Sequence, residues 1–340
     1  MEHRLNKSLD LMFVLFGLAA DIISVTSGTV GNAGNVAASL ITYLSAKLLE
    51  VAELNTILDQ FGVKEPLPSN SSKTIRFVRE EKLPVSASPT QLTEGIPPDA
   101  RGITLNQFEA TAEQYGDLIR ISDLAELTAK HDVVSRTISM LGLQAAELYD
   151  ILVYNVLDAA TNEYRPNAKV LDTDLTAADK VAYVDLVQLS AVLNVAGGRP
   201  FEGGDYVLVV HPQVYASLQQ DPDWKASVQF GAPDRIWRGE VGMLAQFRVV
   251  RTNSPAFAVT SQAGSGDASK VYSSFALARN AYHITDLQNL RFYQVGPGGH
   301  TDPLQQSRKM GWKFAFKSII TGQSWIRRVR SAGADSVTNP

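Results

Sequence analysis

The sequence predicts an α+β protein, some of whose parts have too little core to stand alone. Three observations point there. Apolar residues recur at helical spacing from Val134 to Val156, and helix and strand signals alternate from Thr176 onward. Two strand-like runs also flank a stretch that holds Pro84, Pro89, Pro97 and Pro98.

Length and composition set the frame. A chain of 340 residues can bury a sizeable core, as one elaborate domain or as two or three smaller ones. With 45% hydrophobic and 19% charged residues it has the make-up of a folded protein. A formal charge of −4 and a pI near 5.8 argue against a dedicated nucleic-acid binder, which needs a basic face to neutralise phosphates. The absence of cysteine removes disulfide scaffolds, thiolate metal sites and cysteine nucleophiles together, and it suits assembly in a reducing cytoplasm.

At the start of the chain, Arg4 and Lys7 precede the apolar run Leu11–Ala20, which Asp21 closes. The pattern resembles a secretory signal, and the run is too short for a membrane span. We read it instead as an arm or helix buried on another subunit. A Gly/Asn/Ser/Thr-rich stretch, 26–35, follows. Leu40, Leu44, Leu48, Val51 and Leu54 then predict a helix that Gly62 and Pro66 stop.

The run 73–79 alternates like a strand, and so does 103–113. In the second run Ile103 and Leu105 share one phase while Phe108, Ala110 and Ala112 share the other, so a β-bulge is expected near Asn106–Gln107. Pairing of the two strands would make a long arm with a proline-rich tip. Such a hairpin has little core and is marginal in isolation.

Val134, Ile138, Leu141, Ala145, Leu148, Leu152 and Val156 form one stripe on a helix of about seven turns, with Asp132 as its cap. Arg136, Gln144, Glu147, Asp150 and Asn155 are assigned to the opposite, polar face. Thr176–Asp179 reads as a capping box opening a helix with Val181, Val184, Leu189 and Leu193. Tyr206–Val210 is a continuous apolar run of the kind buried on both faces of a sheet. A short helix near 212–220, a strand at 247–251, a turn at 264–267 and a strand at 271–277 follow. The tail from 303 to 334 carries Arg308, Lys309, Lys313, Lys317, Arg327, Arg328 and Arg330 and no acid. Within it Trp312, Phe314 and Phe316 alternate with Lys313, Ala315 and Lys317, which gives an aromatic and a basic face. Ion pairing with acidic neighbours is the simplest use of these cations, ahead of a subunit contact or weak contact with DNA.

No catalytic, cofactor-binding or metal-binding residue emerges. The histidines at 3, 131, 211, 283 and 300 lack metal-ligand spacing. Asp172-Thr173-Asp174 begins like a calcium loop, but Ala177 stands at the turn-glycine position and Tyr183 at the closing carboxylate. The glycine pairs lack a phosphate-binding register, and no serine occupies a nucleophile elbow. His211, beside Pro212, is expected to cap or pack, and Glu80–Glu81 to be a solvated strand edge.

Several ordered segments together carry a resemblance. Thr74-Ile75-Arg76-Phe77, Leu92-Thr93-Glu94-Gly95-Ile96-Pro97-Pro98, Gln114-Tyr115-Gly116-Asp117 and Ile121-Ser122-Asp123-Leu124 resemble tailed-phage major capsid proteins of the N4 type. Val210-His211-Pro212, Asp221-Pro222-Asp223-Trp224, Gly239-Glu240-Val241-Gly242, Thr301-Asp302-Pro303-Leu304 and Gly311-Trp312-Lys313-Phe314 continue the likeness in the same order. It covers roughly 41–330 and implies the Hong Kong 97 (HK97)-like capsid fold. On that pattern 1–70 is an N-terminal arm and helix, and 71–115 an extended loop reaching a neighbouring subunit. Residues 116–172 are a peripheral domain with a spine helix, 173–287 an axial domain, and 288–340 peripheral strands and C-terminus.

The implied function is a major capsid protein assembling as hexamers and pentamers into an icosahedral shell around double-stranded DNA. Its main partner is itself, with portal, scaffolding and decoration proteins and non-specific packaged DNA as further partners, and no membrane. Assembly would occur in the bacterial cytoplasm and residence in the virion. Candidate subunit contacts are Pro84, Pro89, Leu92, Glu94, Pro97, Pro98 and Arg101 on the arm, Phe13 and Phe16 near the start, and Trp312, Arg327 and Arg328 in the tail. An encapsulin-type compartment is the alternative within the fold. A secreted binding protein or hydrolase with residues 1–20 as signal is the alternative from another class.

Overall fold

The computed structural model describes residues 46–51, 56–67, 72–81, 94, 102–130, 132–222, 243–262, 270–295, 304 and 306–334. The N-terminal run, most of the expected arm tip and the glycine turns at 264–267 and 296–299 lie outside the described residues. Strands β1 (Val63–Lys64), β2 (Thr74–Glu80), β3 (Leu105–Thr111) and β4 (Glu113–Ser122) come first. Helices α1 (Asp123–Thr128) and α2 (Val133–Asp158), strand β5 (Glu163–Tyr164), α3 (Tyr183–Val195), β6 (Tyr206–Val210) and α4 (Pro212–Gln220) follow. The rest is strand: β7 (Met243–Leu244), β8 (Phe247–Arg251), β9 (Ala258–Gln262), β10 (Lys270–Leu277), β11 (Tyr282–Val295), β12 (Ser307–Ile320) and β13 (Ile326–Ala332).

The described residues fall into two compact units. The first draws on 1–51, 117–142 and 291–312. Asp132 caps α2 as expected, its Oδ1 accepting from the Ser135 amide at 3.1 Å. Residues 46–51 are helical and approach α2 at Gly142, where a β-carbon would come within 3.0 Å of the Leu48 carbonyl oxygen. Gly311 on β12 sits closer still, since a β-carbon there would lie 2.4 Å from the Asp117 carbonyl oxygen on β4. Only glycine fits between the two backbones. Arg308 pairs with Glu126 at 3.3 Å, tying β12 to α1.

The second unit, from 52–116, 143–290 and 313–340, holds the main core. Its larger sheet runs β5-β13-β10-β6-β8-β7, with β9 paired to β10. All five residues of β6 are buried, and β6 and β8 are parallel, Tyr206 opposite Phe247 through Val210 opposite Arg251. The two-residue period divides the strand between layers. Tyr206, Leu208 and Val210 join Leu186, Leu189 and Leu193 of α3 and Val214 and Leu218 of α4. Val209 faces the other way with its partner Phe275, whose ring lies 5.4 Å from Tyr154 of α2 and 5.5 Å from Phe257. A phenylalanine buried in this way contributes roughly 2–3 kcal/mol of transfer free energy.

A four-stranded sheet has the order β1-β11-β12-β4. Tyr149 of α2 stacks on its Phe316 at 4.3 Å, and Tyr115 approaches Phe314 at 5.7 Å. The C-terminal half of α2 therefore packs on both sheets, Tyr154 on the larger and Tyr149 on the smaller. The aromatic face expected for β12 is present and internal.

Four expectations need correction. Asp150 is not on a polar face of α2 but 3% exposed, because the buried stripe follows Ala146, Val153 and Leu157 while Leu148, Leu152 and Val156 are only half-buried. β3 pairs with β2 without interruption from Glu80 opposite Leu105 to Thr74 opposite Thr111, so there is no bulge at Asn106–Gln107. Leu105 is simply 51% exposed on the outer face, and the apparent phase slip was solvent-facing hydrophobics. Asp179 does reach back to the Thr176 amide at 2.8 Å, but the result is a turn, and the helix starts at Tyr183, where Asp185 accepts from the Ala182 amide at 2.8 Å. Finally, β13 does not extend the sheet of β11 and β12; it pairs with β10 from Val271 opposite Ala332 to Leu277 opposite Ile326.

Candidate functional site

The β2–β3 hairpin forms a two-stranded sheet of its own. On one face Ile75 opposes Ala110, Phe77 opposes Phe108 and Arg79 opposes Asn106. On the other, Arg76 pairs with Glu109, and Val78 and Leu105 are exposed. The inner face is held by β11 and by the residues that follow β12. The Phe77 ring lies 4.8 Å from His283, Arg79 donates to the Thr321 carbonyl at 2.7 Å, and its guanidinium sits 4.8 Å from the Trp325 ring centre. Thr74 and Thr111 share a hydroxyl hydrogen bond of 2.9 Å across the strands. Glu80 and Glu81 are exposed, as expected of a solvated edge.

Of the arm-tip candidates, Glu94 is exposed, while Pro84, Pro89, Leu92, Pro97, Pro98 and Arg101 lie outside the described residues, as do Phe13 and Phe16. Trp312 is 3% exposed and belongs to the interior of its own subunit. Arg328 is occupied within the chain, pairing with Asp158 at 3.4 Å and with Glu163. Arg327, its neighbour on β13, is half-buried and lines an open groove. The simplest use of the basic tail holds for four cations: Arg308 with Glu126, Lys317 with Glu113, and Arg328 and Arg330 with Asp158. Asp158 ends α2, where the helix dipole disfavours an acid, and the two arginines offset that.

His211 caps α4, Nδ1 accepting from the Gln213 amide at 3.3 Å, and its ring stacks on Tyr272 at 4.5 Å. Asp172 pairs with Arg165 at 2.7 Å. Among the described residues no group of three or more His, Cys, Asp or Glu is placed to hold a metal ion. No helix among them is long and apolar enough to cross a membrane.

Sequence reasoning missed one polar centre. Asp150 accepts from the amides of Ile57, at 3.1 Å, and Leu58, at 3.2 Å, closing the start of the 3₁₀ turn Leu58–Gln60. Tyr149 donates to Asp59 at 2.9 Å, and the buried Tyr282 hydroxyl donates to the Leu58 carbonyl. Burial pushes the Asp150 carboxyl up to about 6, against the pull of its two amide donors. Burial likewise raises Asp286 and, more strongly, Tyr149. The signal was available, since Asp150 stands four residues from Ala146 and three from Val153.

Residues 106–297 match the family described as phage capsid protein. Among solved structures, the capsid of cyanophage P-SCSP1u aligns at TM-score 0.61 and 19% identity, covering 82% of this chain and 88% of that one. The capsid of Ralstonia phage GP4 aligns at TM-score 0.63 and 15% identity, covering 84% and 93%. A virus-like particle from Pyrococcus furiosus aligns less closely, at TM-score 0.51 and 11% identity, covering 85% and 99%. No curated protein matches the sequence. The fold is HK97-like, and the role is structural rather than enzymatic. With more than half of its length matched, the chain belongs to the phage capsid protein family, as a shell-building subunit.

Proposed function

We propose that the subunit assembles as hexamers and pentamers into a closed icosahedral shell around double-stranded DNA, with the β2–β3 hairpin as the arm laid on a neighbouring copy. One observation carries this reading: the β2–β3 ribbon buries Phe77 on its inner face and exposes Val78 and Leu105 on its outer face. An exposed two-stranded ribbon is marginal alone and gains stability where a second surface covers it. Many modest contacts of this kind sum through avidity. The N4-type likeness, the peripheral and axial roles of 116–172 and 173–287, and assembly in the bacterial cytoplasm belong to the same proposal. Portal, scaffolding and decoration proteins are its further partners, and the negative net charge suits weak, non-specific contact with the packaged genome.

The family match favours this reading over an encapsulin-type compartment and over a secreted hydrolase. Deleting 84–98 tests the arm. The shortened chain is expected to fold, by circular dichroism and thermal melting, yet to build no regular shells by electron microscopy. Normal particles from the deletion would overturn the assignment.

A further inference from the structure

Helix α3 is apolar on both sides. Leu186, Leu189 and Leu193 face the larger sheet, while Val184, Val187, Ala191, Val192 and Val195 recur at helical spacing on the outer side and are exposed, Val195 at 90%. A helix that is apolar all round normally has both sides covered. Scattered surface hydrophobics are ordinary, but a continuous stripe marks an interaction surface. Helix propensity does not explain the choice, because valine is a poorer helix former than leucine or alanine.

Beside the stripe lies an open groove of about 510 Å³, walled by Leu189 and Val192 of α3, Glu163 and Tyr164 of β5, and Arg327 of β13. The charges around it do not balance. Arg165 pairs with Glu163 and Asp172, Arg328 with Asp158 and Glu163, and Arg330 with Asp158. Three arginines thus share three carboxylates, and the side chain of a fourth, Arg327, has no ion pair, hydrogen bond or ring contact among the described residues. Burial lowers its pKa, as expected of a cation that has lost water without gaining a partner.

We propose that the valine stripe of α3 and the adjoining groove form an interface between copies of this chain, in which a neighbouring copy covers the valines and sets a carboxylate against Arg327. The proposal deepens the shell reading and rests on it, since a shell subunit is surrounded by its own copies. Charge complementarity favours the same occupant: the chain has 35 acidic against 31 basic residues, so a second copy brings carboxylates to spare.

The lack of native cysteine gives a clean test, because Val187→Cys or Ala191→Cys carries a single thiol. Maleimide labelling of that thiol is expected to fall about tenfold in assembled particles relative to dissociated subunits, as water and reagent are excluded from an interface core. A Val187→Cys chain that melts like the wild type but builds no particles would support the proposal too. Equal labelling in particles and free subunits would overturn it while leaving the shell reading intact, whether the stripe is bare or reserved for a different protein. If the wild-type chain itself forms no particles, the shell reading falls and the proposal with it. Arg327→Glu is expected to retain the wild-type melting temperature and lose regular particles; undiminished particle yield would overturn the carboxylate partner.

Discussion

The larger sheet and the β2–β3 hairpin are both strands, yet they solve the problem of burial in opposite ways. β6 is buried at every position, with α3 and α4 on one side and Phe275, Phe257 and Tyr154 on the other. The hairpin buries one face around Phe77 and leaves Val78 and Leu105 outside. The burial of β6 is complete within its own chain. The hairpin has its register fixed by its own chain and its outer surface left for something else.

The largest expected effect comes from the self-sufficient side. Phe275→Ala removes the ring between Tyr154 and Phe257 and should cost about 3–5 kcal/mol, read as a lower urea midpoint for the isolated subunit. A loss below about 1 kcal/mol would mean that the sheet is not the core described.

Asp150 probes the polar exception on that same rigid side. Its folded pKa of about 6 lies above the ordinary value of 3.8, so the folded subunit binds the proton more tightly than the unfolded chain. The resulting stabilisation is fully present below about 3.8 and is lost as pH rises through about 6, a swing of about 3 kcal/mol. Asp150→Asn keeps an acceptor for the Ile57 and Leu58 amides without the charge. The stability difference between variant and wild type should move in favour of the variant between pH 4 and 7. A difference flat across that range would show that the buried charge costs nothing.

The smallest effect on folding is expected in the hairpin. Phe77→Ala removes one ring against His283 and should cost about 2 kcal/mol, less than a core phenylalanine because one side of the ribbon is already wet. Hydrogen exchange should quicken in 74–80 and 105–111 while β6 and β10 stay protected. If both regions opened together, the contrast between them would collapse.

The sequence carried the local periods well and the long-range partners poorly. Tyr206–Val210 was legible because a strand buried on both faces is a plain apolar run with turns at its ends. α2 was legible as a helix, with its cap, but its buried face was read a fraction of a turn off. Leu148 and Leu152 outweigh Asp150 on any hydrophobicity count, and only the distant amides of Ile57 and Leu58 make burial of that carboxylate tolerable. The same limit hid β13. Its arginines were expected to pair with acids, but Asp158 and Glu163, which pair with two of them, are far away in sequence. For the candidate site, the pairing of β2 with β3 was legible from the alternation of the two runs. The valine stripe was not, because one helix offers two apolar faces and the sequence does not say which the sheet takes.

The place of β13 has a consequence in time. It lies in the interior of the larger sheet, between β5 and β10, although it is made after both. Until residue 332 has left the ribosome, β10 keeps an open edge and Asp158 lacks Arg328 and Arg330. Once β10 has been made, the sheet stays unfinished until β13 pairs with it. An unpaired edge of this kind is an aggregation hazard while it lasts.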